Sequence, residues 1–129
     1  LHGTEAVLAV TESTVPWSSV MIRKSFGVAA AAHYGPEGYV LAWPSAESGP
    51  LPLEGGVAVA FKKEIAASKD PEAKRKEIEN TMSKQQNPFP RAESFSVHEI
   101  IDPRDTRKYL SLWAERIQPQ LKAKLLSLK

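Results

Sequence analysis

The chain has 129 residues, of which 42% are hydrophobic and 25% are charged. This length suits one compact domain, and this composition excludes a disordered chain or a membrane-spanning one. The formal net charge of +2 is too small to indicate nucleic-acid binding. The sequence contains no cysteine, which excludes disulfides, thiolate nucleophiles and sulfur-ligated zinc sites.

The two halves of the chain differ in charge, and the first residue is not an initiator methionine. Residues 1–61 contain two basic and five acidic residues, whereas residues 62–129 contain fifteen basic and ten acidic ones. The contrast predicts an apolar core layer followed by polar, peripheral helices. Because the chain begins with Leu1 and without a signal-peptide pattern, we expect a fragment or a processed product of a longer polypeptide.

Short apolar segments separated by glycine and proline dominate the first half. Residues 5–13 predict the end of a helix, because Pro16 removes a backbone donor and stops it. Apolar and β-branched residues at 19–24 predict a strand, and Gly27 then permits a sharp turn into a short helix at 28–33. The pattern further predicts a strand at 39–43, a loop at 45–53 and a helix at 54–65.

The second half contains clearer start and stop signals. Asp70 is a typical N-cap and Pro71 suits the first helical position, so we predict a solvent-facing helix from there to Lys84. The Asn-Pro-Phe-Pro segment at 87–90 should break the chain, and alternation at 95–101 predicts a strand. A last helix is expected to open after Asp102, to carry an apolar stripe of Tyr109, Leu110, Trp113 and Ile117, and to break at Pro119.

The order of the predicted strands and helices indicates an α/β fold.

The side chains suggest little catalytic chemistry. The three histidines, His2, His33 and His98, lack the spacing of metal ligands, so we expect no metal site. No P-loop, dinucleotide fingerprint or Gly-x-Ser-x-Gly elbow is present. The basic residues lie in separate predicted elements, which favours solvated helix faces over a ligand site.

Two glycine-containing turns remain as candidates. At 26–30 (FGVAA) a strand leads into a helix whose first N–H groups lack intrahelical partners, and such groups can hold an oxyanion. The alternative for this segment is tight packing through its alanines. At 53–56 (LEGG) a second helix start follows a Trp-Pro loop, and the alternative there is a plain glycine-rich connection.

Seven short segments, taken in order, share the spacing of one protein family. They are 22–27 (IRKSFG), 42–47 (AWPSAE), 54–57 (EGGV), 61–65 (FKKEI), 70–75 (DPEAKR), 87–89 (NPF) and 101–107 (IDPRDTR). Together they resemble the C-terminal part of the carboxyltransferase (β) subunit of biotin-dependent acyl-CoA carboxylases, of the propionyl-CoA carboxylase type. The resemblance covers roughly residues 3–118.

The resemblance implies a crotonase-like (ClpP/crotonase) α/β fold, a superhelix of ββα units. Residues 1–129 would form the C-terminal portion of one carboxyltransferase domain. Family members move a carboxyl group from carboxybiotin to the α-carbon of an acyl-CoA, here a short one such as propionyl-CoA, without a metal or a protein nucleophile in this domain. We therefore expect a part of an enzyme, inactive when isolated because the acyl-CoA half of the site lies in the N-terminal domain.

The resemblance also assigns site residues. It implies that the backbone amides of Val28 and Ala29 form the biotin-side oxyanion hole, and that Phe26, Gly27 and Ala30 bind biotin. Preorganised amides of this kind act by stabilising charge that develops in the transition state.

Three positions depart from the family pattern. Val28 stands where the family usually has glycine, Pro52 interrupts a segment that often reads Met-Gly-Ala, and Ala31 replaces a residue that is often polar. These departures leave two alternatives open, a non-catalytic assembly or interaction module and a biotin-dependent acyl-CoA decarboxylase α subunit. An independent hydratase or isomerase is disfavoured, because neither Glu54 nor Glu64 lies in a context that predicts a raised pKa.

The resemblance further implies partners and a compartment. The partners are a biotin carboxylase and biotin carrier subunit, the N-terminal carboxyltransferase domain, and further copies in a homo-oligomer, with neither nucleic acid nor a membrane. The compartment would be the bacterial cytoplasm or the mitochondrial matrix. Because so short a chain should expose apolar surface, we expect the isolated polypeptide to self-associate.

Overall fold

A computed structural model describes residues 2–35 and 38–127, with only the backbone described at Ala31. The fold is mixed α/β, in agreement with the class expected from the sequence. In chain order the elements are α1 (His2–Thr11), β1 (Ser18–Met21), β2 (Lys24–Phe26), α2 (Gly27–Ala32), β3 (Tyr39–Ala42), β4 (Glu47–Gly49), α3 (Gly56–Ala60), α4 (Lys62–Ala67), α5 (Pro71–Gln86), α6 (Pro88–Glu93), β5 (Glu99–Ile100), a 3-10 turn (Pro103–Asp105) and α7 (Thr106–Ser127).

The strands form two small parallel sheets. In the first sheet β3 lies between β1 and β5, and in the second β2 pairs with β4. Strand β3 is central and apolar, as expected for a parallel strand covered on both faces. Its residues Val40 and Ala42 join Met21, Ala46 and Val97 in the hydrophobic core.

Helix α5 begins where the capping signal predicts. The carboxylate of Asp70 accepts hydrogen bonds from the backbone N–H groups of Glu72 (3.1 Å) and Ala73 (3.0 Å). The helix continues to Gln86, two residues beyond the predicted end. The predicted break occurs at Asn87, where α5 ends. A second helix, α6, begins directly after it, because the Asn87 side chain accepts a hydrogen bond from Phe89 N at 3.1 Å.

Two predicted strands and one predicted loop were wrong in detail. The single strand expected at 19–24 is split between β1 and β2, which belong to different sheets and pair with different partners. The loop expected at 45–53 contains β4, which pairs with β2. The strand expected at 95–101 is reduced to β5, because Phe95 has a φ of 57° and a side chain that is 88% exposed.

Two predicted helices also differ from the structure. The helix expected at 54–65 begins at Gly56 and is divided at Phe61, whose φ of −106° departs from helical values. The break expected at Pro119 does not occur, and α7 continues through it. Proline removes one helical hydrogen bond, and the half-buried Ile117 and Leu121 keep the helix packed on both sides of that gap.

Segments that are distant in sequence meet at the start of α7. The indole N–H of Trp43, which follows β3, donates to the hydroxyl of Thr106 at 2.9 Å. Asp102 caps the preceding 3-10 turn by accepting from Arg104 N at 2.9 Å. The segments 42–47 and 101–107, noted above for their order and spacing, therefore anchor the last helix to the central strand.

The chain exposes a large surface for its mass. Its accessible area is 9400 Å², whereas a compact monomer of this mass exposes about 6,800 Å². Apolar side chains contribute, among them Val28, Val59 and Leu126. The core is correspondingly thin. No helix within the described ranges has the length and hydrophobicity needed to cross a bilayer.

Candidate functional site

The junction between β2 and α2 is a turn that requires glycine. Gly27 has a φ of +72°, in the left-handed region that disfavours other residues. A Cβ at this position would meet only the carbonyl oxygen of Pro50, at an ordinary contact distance of 3.7 Å. The requirement for glycine is therefore conformational, and the space above the turn is open.

Two backbone donors project from this turn. Helix α2 begins here, and the first N–H groups of a helix lack partners within it. Val28 and Ala29 lie in the first turn of α2, so their N–H groups have no acceptor within the helix. Both residues are exposed, and the Val28 side chain is 74% exposed. These donors are therefore accessible to an anionic oxygen from outside the chain.

The predicted biotin-binding residues are contiguous with these donors but less exposed. Phe26, Gly27 and Ala30 are half-buried. Phe26 pairs with Gly49 in the second sheet, so the loop after β4 runs beside the turn. The structure thus brings all five predicted site residues into one strand–turn–helix unit, flanked by Pro50.

Gln86 holds the flanking loop, and sequence reasoning missed it. Its side chain is buried with 5% exposure at the end of α5 and donates through Nε2 to the carbonyl of Leu51 at 2.9 Å. It also packs on Gly49, where an added Cβ would lie 3.6 Å from its Cγ. The only hint in the sequence is its position just before the Asn87 stop, which does not reveal burial.

Tyr34 contacts β2, the strand that precedes the turn, and it was not identified from the sequence. Its phenol lies 2.8 Å from the Ser25 hydroxyl in β2 and donates to the Met21 sulfur at 3.2 Å. The adjacent cavity of about 390 Å³ is lined in part by Ser25, His33 and Tyr34. One side chain after α2 therefore reaches back to the strand that precedes it.

The second glycine turn is packed differently. Gly55 has a φ of +77°, and a Cβ there would meet nothing within 4 Å. At Gly56 an added Cβ would lie 2.8 Å from Cδ1 of Leu51, so this glycine allows the Leu51 side chain to approach α3. Close packing thus accounts for Gly56.

The strongest electrostatic perturbation lies away from the turn. The phenol of Tyr39 donates to Oε1 of Glu99 at 2.5 Å. Burial, followed by the hydrogen bond and the charge of Glu99, raises the pKa of Tyr39 to about 12. The charge of Glu99 is also the largest cause that raises the pKa of Tyr109. These three residues belong to β3, β5 and α7 and lie outside the turn between β2 and α2.

The described part of the chain contains no cluster of side chains that could hold a metal ion. No three residues among its histidines, aspartates and glutamates are grouped as a metal site would require. The expectation of metal-free chemistry remains a prediction.

Comparison with known families decides the relationship. The family of the carboxyl transferase domain matches residues 1–124. The chain belongs to this family. As a carboxyl transferase domain, it has the crotonase-like fold expected from the seven segments.

Curated relatives agree with this assignment. The chain is 38% identical over 114 residues to the methylmalonyl-CoA carboxyltransferase 12S subunit of Propionibacterium freudenreichii subsp. shermanii, covering 85% of this chain and 22% of the relative. It is 36% identical to the carboxyltransferase subunit of propionyl-CoA carboxylase from Haloferax mediterranei, over 84% and 22%. It is also 32% identical to the methylmalonyl-CoA decarboxylase α subunit of Propionigenium modestum, over 83% and 22%.

Solved structures support the fold. The transcarboxylase 12S crystal structure, a hexamer with methylmalonyl-coenzyme A bound, matches with a TM-score of 0.75 and 36% identity over 90% of this chain and 23% of that one. The β subunit of geranyl-CoA carboxylase from P. aeruginosa matches with a TM-score of 0.78 and 20% identity, over 88% and 23%, which bears on the fold alone. The chain therefore spans about a fifth of the length of the relatives it matches.

Proposed function

We propose that this carboxyl transferase domain contributes the biotin-side part of the active site in an acyl-CoA carboxyltransferase. The observation that carries the proposal is the start of α2 at an open turn, where the N–H groups of Val28 and Ala29 lack an acceptor within the helix. Named relatives act on methylmalonyl-CoA and propionyl-CoA, which supports a short acyl-CoA as the acceptor.

The turn fits the ureido group of biotin. That group presents one carbonyl oxygen, and two adjacent N–H donors can bind one oxygen. The open space above Gly27 leaves room for a ring to approach the backbone. Val28 is exposed, and its side chain leaves its own backbone amide available as a donor. The half-buried Phe26 supplies an apolar surface next to the donors.

The amides would act on developing charge. Carboxybiotin, when bound, supplies the carboxyl group that is transferred. As the carboxyl group leaves, negative charge grows on the ureido oxygen, and the Val28 and Ala29 N–H groups would donate more strongly to it than before. Donors fixed by a helix need no reorganisation at that moment, which is the condition for selective stabilisation of the transition state.

The domain would work within an assembly. Its 9400 Å² of accessible surface exceeds that of a compact monomer by about 2,600 Å². This excess supports association with the N-terminal carboxyltransferase domain, with further copies of the chain and with a biotin carrier. The hexamer named for the transcarboxylase relative supports the same arrangement. The cytoplasm or the mitochondrial matrix is the compartment we expect for such an assembly.

A decarboxylase α subunit is the second candidate function. The similarity to a methylmalonyl-CoA decarboxylase subunit supports it. The same two amides would then act on the same ureido oxygen while the carboxyl group moves from the acyl-CoA toward biotin. A non-catalytic module is the third candidate, since Val28 replaces the usual glycine of the family pattern.

The test removes one donor and leaves the helix in place. Val28 is the second residue of α2, and proline is tolerated in the first turn of a helix, where no intrahelical hydrogen bond is lost. In the assembled carboxyltransferase that carries this chain, Val28→Pro should lower kcat by about 10²–10³-fold. Val28→Ala, which keeps the amide, is the matched control and should retain the wild-type rate.

The outcomes separate the three candidates. A slow Val28→Pro variant with an active Val28→Ala variant supports the amide. If both variants transfer carboxyl groups at the wild-type rate, the biotin-side assignment is wrong. Carboxylation of propionyl-CoA by the wild-type assembly supports the first candidate, and decarboxylation of methylmalonyl-CoA supports the second. If the assembly catalyses neither reaction, the non-catalytic module is favoured.

A further inference from the structure

A hydrogen bond joins a residue just after α2 back to β2, the strand that precedes the helix. Tyr34 follows α2 by two residues, yet its phenol lies 2.8 Å from the hydroxyl of Ser25 in β2. The same phenol donates to the sulfur of Met21, at the end of β1, at 3.2 Å. Ser25 and Tyr34 thus bracket the turn that presents the two amides.

These contacts lie in a protected part of the molecule. Tyr34 packs against the hydrophobic core cluster that contains Met21, which is only 4% exposed. Ser25 is half-buried and is fixed opposite Ser48 by the pairing of β2 with β4. Both partners of this contact are therefore anchored, Tyr34 by the core and Ser25 by the sheet.

The position of α2 depends on its neighbours, since it packs against α1 and the Ser19 hydroxyl donates to the carbonyl of His33 at 2.6 Å. Helix α2 has only six residues, and a helix this short is not stable by itself. The donors at Val28 and Ala29 are two and three residues beyond Phe26, the last residue of β2. Their direction therefore depends on where β2 and the end of α2 are fixed.

We infer that Tyr34 is a positioning residue for the biotin-side amides, acting through its contact with Ser25. This role rests on the proposed function. Removing the phenol hydroxyl leaves the Ser25 hydroxyl without its partner and loosens the end of α2 relative to β2, which the sheet holds in place. A displacement of about 1 Å at donors of this kind can cost up to about 100-fold in rate.

The experiment is a double-mutant cycle in the assembled carboxyltransferase. Tyr34→Phe and Ser25→Ala should each lower kcat by about tenfold, with the KM for propionyl-CoA unchanged. The double variant should be no slower than either single variant, because both changes remove one contact. Ser25→Thr, which keeps a hydroxyl, should recover most of the rate.

Matched controls separate positioning from a general loss of stability. Tyr109→Phe removes a phenol remote from the turn, and Ser68→Ala removes a hydroxyl that donates to the Ile65 carbonyl in α4. Both should keep the wild-type kcat. The inference is wrong if Tyr34→Phe also keeps it, or if the two losses in the cycle multiply.

The Val28→Pro variant distinguishes the two proposals. If it is slow while Tyr34→Phe is fast, the amide role stands and the positioning role fails. If Val28→Pro itself is fast, both fail.

Discussion

The contact between Tyr39 and Glu99 predicts a specific loss of stability at high pH. The pKa of Tyr39 is raised from 10.0 to about 12, first by burial and then by the hydrogen bond and charge of Glu99, while the charge of Arg116 acts in the opposite direction. A raised pKa means that the folded state favours the neutral phenol. The resulting stabilisation is present below about pH 10 and is lost as the pH rises to about 12.

The magnitude follows from the size of the shift. Two pKa units correspond to about 2.7 kcal/mol between the two protonation states. Tyr39 is half-buried, so water screens part of this energy, and about 1–2 kcal/mol is expected in practice. Because burial is the largest cause, Glu99→Gln should remove only part of the shift.

The assay compares wild type with Tyr39→Phe in the assembled protein. The phenylalanine variant should unfold at a lower temperature at about pH 8, and the difference should shrink as the pH approaches about 11. Tyrosinate absorbance should show one phenol fewer titrating at the high end in the variant. A difference in unfolding temperature that does not change with pH would refute this account of the pair.

Two further changes test the supports of the turn. Gln86→Ala should cost about 1–3 kcal/mol of unfolding free energy, because the carbonyl of Leu51 loses its buried partner. Gln85→Ala, at the exposed neighbour, should cost little, and equal losses in a denaturant titration would contradict the role of burial. Gly27→Ala and Gly55→Ala should each cost about 1–2 kcal/mol because of their positive φ. Only Gly27→Ala should also slow carboxyl transfer, and an equal effect of both on kcat would contradict the position of the site.

Local signals in the sequence predicted local structure well. Asp70 and Pro71 gave the start of α5, because an N-cap acts on amides only two and three residues away. The apolar stripe of α7 was also correct, since Tyr109, Leu110, Trp113 and Ile117 are all half-buried. The family assignment was confirmed by the match over residues 1–124.

Pairing between distant strands was the part that local reasoning could not supply. Residues 19–24 combine apolar Val20, Met21 and Ile22 with charged Arg23 and Lys24, and nothing in them tells which strand each part will pair with. That pairing depends on β3 and β4, which are fixed far along the chain. Gln86 and Tyr34 were missed for the same reason, because the contacts that give them a role are made by residues 35 and 9 positions away.

The order of strands in the first sheet has a consequence for biosynthesis. Strand β3 needs β5, at residues 99–100, to cover its second edge. During translation, the ribosome must release nearly the whole domain before that edge is closed. Until then an apolar strand presents unpaired backbone groups, which is the condition that favours aggregation of nascent chains.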